Sequence, residues 1–164
     1  MTENVEIPNE NEDSQRILLA DDEASIRRIL ETRLKMAGYE VYTAQDGEEA
    51  VNAFNKFNPD LVVLDVMMPK INGYKICRLL KFDSRYKDIP IILVTARGHE
   101  QDKAIGEETG ADEYITKPFE FANVFEKIEA IQKDLLDQGL KELNGAFEEI
   151  KESTIQETRE IPKK

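Results

Sequence analysis

At 164 residues, with 40% hydrophobic and 34% charged side chains, the chain has room for one well-packed domain and an appendage, but not comfortably for two. A formal net charge of -12 argues against a surface that holds nucleic acid or anionic membrane by itself, because phosphate-binding faces need clustered Lys and Arg; proteins are the expected partners. The single Cys77 excludes an internal disulfide, no run approaches the roughly 20 apolar residues that span a bilayer, and Met1-Thr2-Glu3-Asn4 lacks the basic end of a signal peptide, so the expected location is cytoplasmic.

Residues 1–14 are acidic and polar, with Pro8 and no apolar period, and are expected to form a disordered leader. Ile17 to Ala20 is a short apolar run of the kind found in buried strands, and it ends on the pair Asp21-Asp22. Ile26, Ile29, Leu30 and Leu34 recur at helical spacing, and Gly38 stands where a helix closes on a left-handed residue. Val41 and Ala44 belong to a second strand. Asp46 is then placed to cap a helix that carries Ala50, Val51, Phe54 and Phe57 on one face.

Leu61 to Leu64, introduced by Pro59, has the uninterrupted branched character of a parallel strand buried on both faces, and it delivers Asp65 at its carboxyl end. A loop with Met67-Met68-Pro69 and Asn72-Gly73 leads to a helix whose inner stripe holds Ile76, Cys77 and Leu80, which makes Cys77 a packed core thiol. Pro90 opens a fourth strand, Ile91 to Val94, which presents Thr95 and Ala96. Gln101 to Thr109 reads as a short polar helix closed by Gly110, and Glu113 to Thr116 as a fifth strand running into Lys117-Pro118. Phe121, Val124, Phe125, Ile128 and Ile131 form the stripe of a last domain helix. Five strands alternating with five helices over residues 15–133 predict an α/β fold, a doubly wound parallel sheet of order 2-1-3-4-5 of the flavodoxin type.

In that order the first and third strands are neighbours and the winding reverses between them, so Asp21, Asp22 and Asp65 surround one crevice. Thr95 and Lys117 arrive there from the fourth and fifth strands. Crowded carboxylates repel, and some stay protonated unless a cation neutralises them. An open, all-oxygen site with few carboxylates suits Mg²⁺, or its close substitute Mn²⁺, which keeps waters that a phosphate oxygen can replace. A lysine ammonium has no use in metal binding alone but holds a phosphoryl oxygen as a point charge, and Thr95 adds a hydroxyl donor. The pattern is that of a site for an aspartyl phosphate. Each residue alone has an ordinary structural reading, a turn cap for Asp65 or a solvated surface group for Lys117; their joint occurrence at strand ends does not.

From about Arg16 to Ile131 the chain resembles the receiver domains of two-component response regulators, the CheY-like family. The resemblance is carried by Asp21-Asp22, by Asp65 followed by Met67-Met68-Pro69 and Asn72-Gly73, by Val94-Thr95-Ala96, by Gly110-Ala111-Asp112-Glu113-Tyr114 and by Lys117-Pro118-Phe119. It implies that Asp65 is the phosphoacceptor and takes its phosphoryl group from a phosphohistidine on a sensor histidine kinase or a histidine phosphotransfer protein. It also implies a metal held by Asp22, Asp65 and the backbone carbonyl of Met67, with Asp21 acting through water. By the same resemblance Lys117 contacts the phosphoryl group, Thr95 moves toward it, Tyr114 turns inward as Thr95 moves, Ala96 leaves access to the site, and the Lys117-Pro118 bond is cis. Such a protein is a signalling phosphoprotein that catalyses only its own phosphotransfer and autodephosphorylation. Its Lys103 to Lys127 region is similar to receivers that dimerise on phosphorylation, although Asn123 stands where that subgroup has an acid.

Beyond Ile131, Leu136, Leu140, Leu143, Phe147 and Ile150 are spaced 4-3-4-3 and form a narrow apolar seam on an amphipathic helical extension over 134–152. Gly139 and Gly145 lower its helix stability by about 1 kcal/mol each relative to Ala. Residues 153–164 are expected to be a disordered tail. With no basic module after the receiver, the expectation is a stand-alone response regulator that acts on a downstream protein target, with no nucleic acid and no membrane among its partners. The alternatives are the isolated receiver of a longer regulator and a phosphate-independent binding module.

Overall fold

A computed structural model describes residues 14–96 and 108–159. Five strands, β1 Arg16–Ala20, β2 Glu40–Ala44, β3 Leu61–Asp65, β4 Ile91–Ala96 and β5 Glu113–Lys117, form one parallel sheet of order β2-β1-β3-β4-β5. The helices are α1 Ala24–Met36, α2 Gly47–Phe57, α3 Gly73–Lys81 and α4 Phe121–Arg159. Four helices are thus found among the described residues where five were expected. The expected helix Gln101 to Thr109 lies outside them except at its end, where Glu108 and Thr109 are helical and Gly110 follows at φ +81°. The chain divides into two units, Met1–Val124 and Phe125–Lys164.

In the first unit the central strands are buried on both faces, which is why β3 could be read as a continuous apolar run: all of Leu61–Asp65 is buried. On one face Leu18, Val62, Leu64 and Leu93 pack with Phe54 of α2 and Ile76 and Cys77 of α3. α1 instead buries Leu30 and Leu34, while Ile29, expected on the same stripe, is 42% exposed. Helix ends follow the local chemistry. The Asp46 carboxylate accepts from the Glu49 N–H at 2.9 Å while Glu49 accepts from the Gln45 N–H at 2.8 Å, a reciprocal cap on α2. Gly38 closes α1 at φ +98°, and the Tyr39 N–H donates to the Leu34 carbonyl. Cys77 is fully buried, and burial pushes its thiol up from the ordinary range.

The second unit is the larger part of α4. This single helix of 39 residues continues through 134–152 and on to Arg159, so residues 153–159 are helical and not the expected disordered tail. No proline interrupts before Pro162, and the Thr154 and Thr158 hydroxyls donate back to the carbonyls of Ile150 and Thr154. Residues 1–13 of the expected leader 1–14, and residues 160–164, lie outside the described residues.

Candidate functional site

All five strands run the same way, so their carboxyl ends share one rim, and the winding reverses between β1 and β3. Asp21 and Asp22 follow β1, Asp65 ends β3, Thr95 and Ala96 end β4, and Lys117 ends β5. In register, Asp65 lies beside Val94, Thr95 beside Thr116, Ala96 beside Lys117 and Leu93 beside Tyr114. Strand residues alternate between faces and cross-strand partners share one, so Asp65 and Lys117 lie on one face while Thr95 and Tyr114 lie together on the other.

The Lys117 ammonium is the hub. Its Nζ lies 3.0 Å from Asp65 Oδ2, 3.1 Å from Asp21 Oδ2 and 3.1 Å from Glu23 Oε1. The other oxygen of Asp65, Oδ1, accepts from the Met67 N–H at 3.1 Å, and the Asp21 carboxylate accepts from the Glu23 N–H at 2.8 Å. Both acids are buried, whereas Asp22 is exposed beside them. Burial first, and then the charge of Asp21, pushes the Asp65 carboxyl above its ordinary range against the opposing pull of Lys117 and Met67. Asp22 is likewise raised by burial, by the Asp65 charge and by a hydrogen bond to Asp65. Burial disfavours the charged form of Lys117, but its hydrogen bonds to Asp65, Asp21 and Glu23 outweigh this and hold the ammonium above the usual lysine range.

One ammonium therefore serves three carboxylates, with Asp22 a fourth acid beside them, an arrangement that further positive charge would relieve. One oxygen each from Asp21, Asp22 and Asp65 lies within 4.8 Å of the others. Hard oxygen donors, an exposed member and raised carboxyl groups fit a small divalent cation such as Mg²⁺.

The loop after β3 is pinned at both ends. The Gly73 N–H donates to the Val66 carbonyl at 3.0 Å, and the Asn72 side chain caps α3 by accepting from the Lys75 N–H at 2.9 Å. A Cβ on Gly73 would stand 2.4 Å from the Asp65 carbonyl oxygen, so only glycine lets α3 begin against the backbone of the candidate phosphoacceptor. Met67 offers its N–H to the site while its side chain is largely exposed, and Ala96 is partly exposed. Thr95 is buried at the end of β4, Tyr114 packs against the core, and the Lys117-Pro118 bond is cis. Glu23 was missed in the sequence. The signal available was its place directly after Asp21-Asp22 at the start of α1; its carboxylate goes to Lys117 and makes no cap bond to its own helix.

A doubly wound sheet with buried acids and a lysine at its switch point defines an α/β protein of the receiver class. The chain belongs to the response regulator receiver domain family, whose model matches residues 17–129. It is 51% identical over 120 residues to the Guillardia theta protein named "Probable transcriptional regulator ycf27", covering 73% of this chain and 46% of that one. It is 39% identical over 128 residues to the DNA-binding dual master transcriptional regulator RpaA of Synechocystis, covering 77% and 53%. Among solved structures, the chemotaxis response regulator CheY4 of Vibrio cholerae superimposes with a TM-score of 0.67 at 32% identity, over 72% of this chain and 98% of that one.

The chain thus spans about half the length of these curated relatives. This corrects the expectation of a stand-alone regulator without nucleic acid among its partners: the relatives are named as transcriptional regulators, one of them DNA-binding. The acidic composition describes the receiver's own surface and carries no information about the half of those relatives that this chain does not match. No helix among the described residues is long and apolar enough to cross a membrane.

Proposed function

We propose that this chain is the phosphoacceptor receiver of a transcriptional regulator, that Asp65 is the phosphorylated residue, and that the donor is a phosphohistidine on a cytoplasmic sensor kinase or phosphotransfer protein. The observation that carries the reading is the Lys117 ammonium 3.0 Å from Asp65 inside the acid cluster. A structural lysine needs one buried partner; this one holds three carboxylates together and stands where a phosphoryl oxygen would arrive.

In the transfer an Asp65 carboxylate oxygen forms the O–P bond as the P–N bond to the donor imidazole breaks, and the imidazole takes a proton from water. The Asp65 carboxylate is held by Met67 on one oxygen and Lys117 on the other, so its orientation is fixed before the donor docks. Lys117 would follow the charge onto the new phosphoryl oxygens. Mg²⁺ held by Asp22, Asp65 and the Met67 carbonyl, with Asp21 behind it, would offset the charge of phosphate against carboxylate. Beside Lys117 a cavity of about 460 Å³ lined by Glu23, Ala96 and Phe119 leaves room for the donor, and small Ala96 keeps it open. Thr95 and Tyr114, together on the opposite face, would carry the state to a partner surface, and hydrolysis at the same site would end it.

The test is intact mass after incubation with a small acyl phosphate, with and without Mg²⁺, beside an Asp65→Ala variant. One phosphoryl group is expected on the wild-type chain in the presence of metal and none on the variant. No addition, also with phosphohistidine donors, overturns the reading.

A further inference from the structure

The distal part of α4 carries Leu136, Leu140, Leu143, Phe147 and Ile150, each at least half exposed. Their 4-3-4-3 spacing averages 3.5 residues, which keeps them on one stripe of a helix that pairs with another. The acids Glu142, Glu148, Glu149 and Glu152 all fall on the outer side, away from that stripe. Two flanks border it, each repeating every seven residues: Asp137, Asn144 and Lys151 on one side, and Gly139, Ala146 and Ser153 on the other.

We infer that α4 pairs with α4 of a second copy of this chain, antiparallel, through this seam. Charge chooses the direction. In an antiparallel pair like flanks meet, so about a two-fold axis near Gly145, Asp137 faces Lys151 of the second copy twice over and Asn144 faces Asn144. The seam closes in the same register: Leu140 layers with Ile150, Leu143 with Phe147 and Leu136 with Thr154. The other flank brings Ala146 to Ala146 and Gly139 to Ser153, small groups that let the backbones approach. A parallel pair sets Asp137 beside Gln132 and Lys151 beside Ala146, and matches no charge.

Ten half-exposed apolar side chains leave water on pairing, on the order of 1,000 Å² in all, which is near the lower bound of a specific interface and implies a weak, reversible dimer.

The experiment is sedimentation equilibrium of the full chain from about 1 to about 500 µM, a range that brackets such an interface. A reversible dimer is expected. Lys151→Asp, which turns both attractive pairs repulsive, weakens it by about tenfold, and Asp137→Lys with Lys151→Asp restores it. On oxidation Ala146→Cys gives a disulfide-linked dimer and Leu136→Cys does not; the native Cys77 is buried and does not compete. A monomer throughout the range, a charge swap without effect or without rescue, or cross-linking through Leu136→Cys, the mark of a parallel pair, overturns the inference.

Discussion

Replacing Lys117 by Met keeps a side chain of similar reach along its apolar stem while deleting the charge that three carboxylates share. The magnitude follows from who is left behind. Asp21 and Asp65 have side chains only 3% and 5% exposed, so each loses a partner it cannot replace with water. Glu23, at 54%, is solvated and contributes little. Removing one partner of a buried ion pair costs about 3–5 kcal/mol, and protonation of Asp65, whose carboxyl burial already raises, limits the loss to the lower end, about 3 kcal/mol near neutral pH. For a domain stable by roughly 5–15 kcal/mol this is a large fraction. The cost should shrink as pH falls and the raised Asp65 carboxyl accepts a proton, and added Mg²⁺ should restore more stability to the variant than to the wild-type chain. Urea denaturation followed by circular dichroism, at neutral and lower pH and with Mg²⁺ or chelator, measures all three. Equal midpoints for variant and wild type near neutral pH without metal would refute the assignment of Lys117 as the charge hub.

Two further outcomes test the same geometry. Because burial in the folded state raises the Asp65 carboxyl above its ordinary value of about 3.8, it binds this proton more tightly than the unfolded chain does; the associated stability is full below that value and is lost as pH rises through the folded value. Asp65→Asn cannot lose it, so without metal the variant should gain stability relative to wild type as pH rises from about 4; a flat difference counts against the crowding argument. Gly73→Ala forces a methyl group toward the Asp65 carbonyl and should cost about 1–3 kcal/mol and slow phosphorylation. Gly139→Ala, whose Cβ meets nothing within 4 Å, should stabilise its helix by up to about 1 kcal/mol; thermal melts that rank the two the other way contradict the packing described here.

Much of this was legible in the residues because buried parallel strands leave few alternatives. The Leu61 to Leu64 run fixed where Asp65 emerges, Asp46 announced the start of α2, and Gly38 the end of α1, each through a local rule that needs no knowledge of the rest of the fold. Cys77 could be dismissed because helical spacing put it among core residues. Glu23 was not legible, since an exposed acid at a helix start is ordinary until β5 delivers a lysine to it from 94 residues away. Nor was the length of α4: the polar, charged residues from Ser153 argued for a disordered end, but nothing among them breaks a helix, and it runs on to Arg159. The output of the relatives lay beyond any residue in the chain.

The pairing of β4 with β5 has a consequence for how the domain tolerates change. Tyr114 and Lys117 sit on opposite faces of one strand because three, an odd number, separates them. Inserting or deleting a single residue between them would turn both toward the same layer, leaving either the acid rim without its cation or the core without the Tyr114 ring. The strand therefore constrains parity as strictly as identity. Substitutions at the exposed Thr116 can drift one at a time, whereas a change of length there moves every side chain beyond it to the other face.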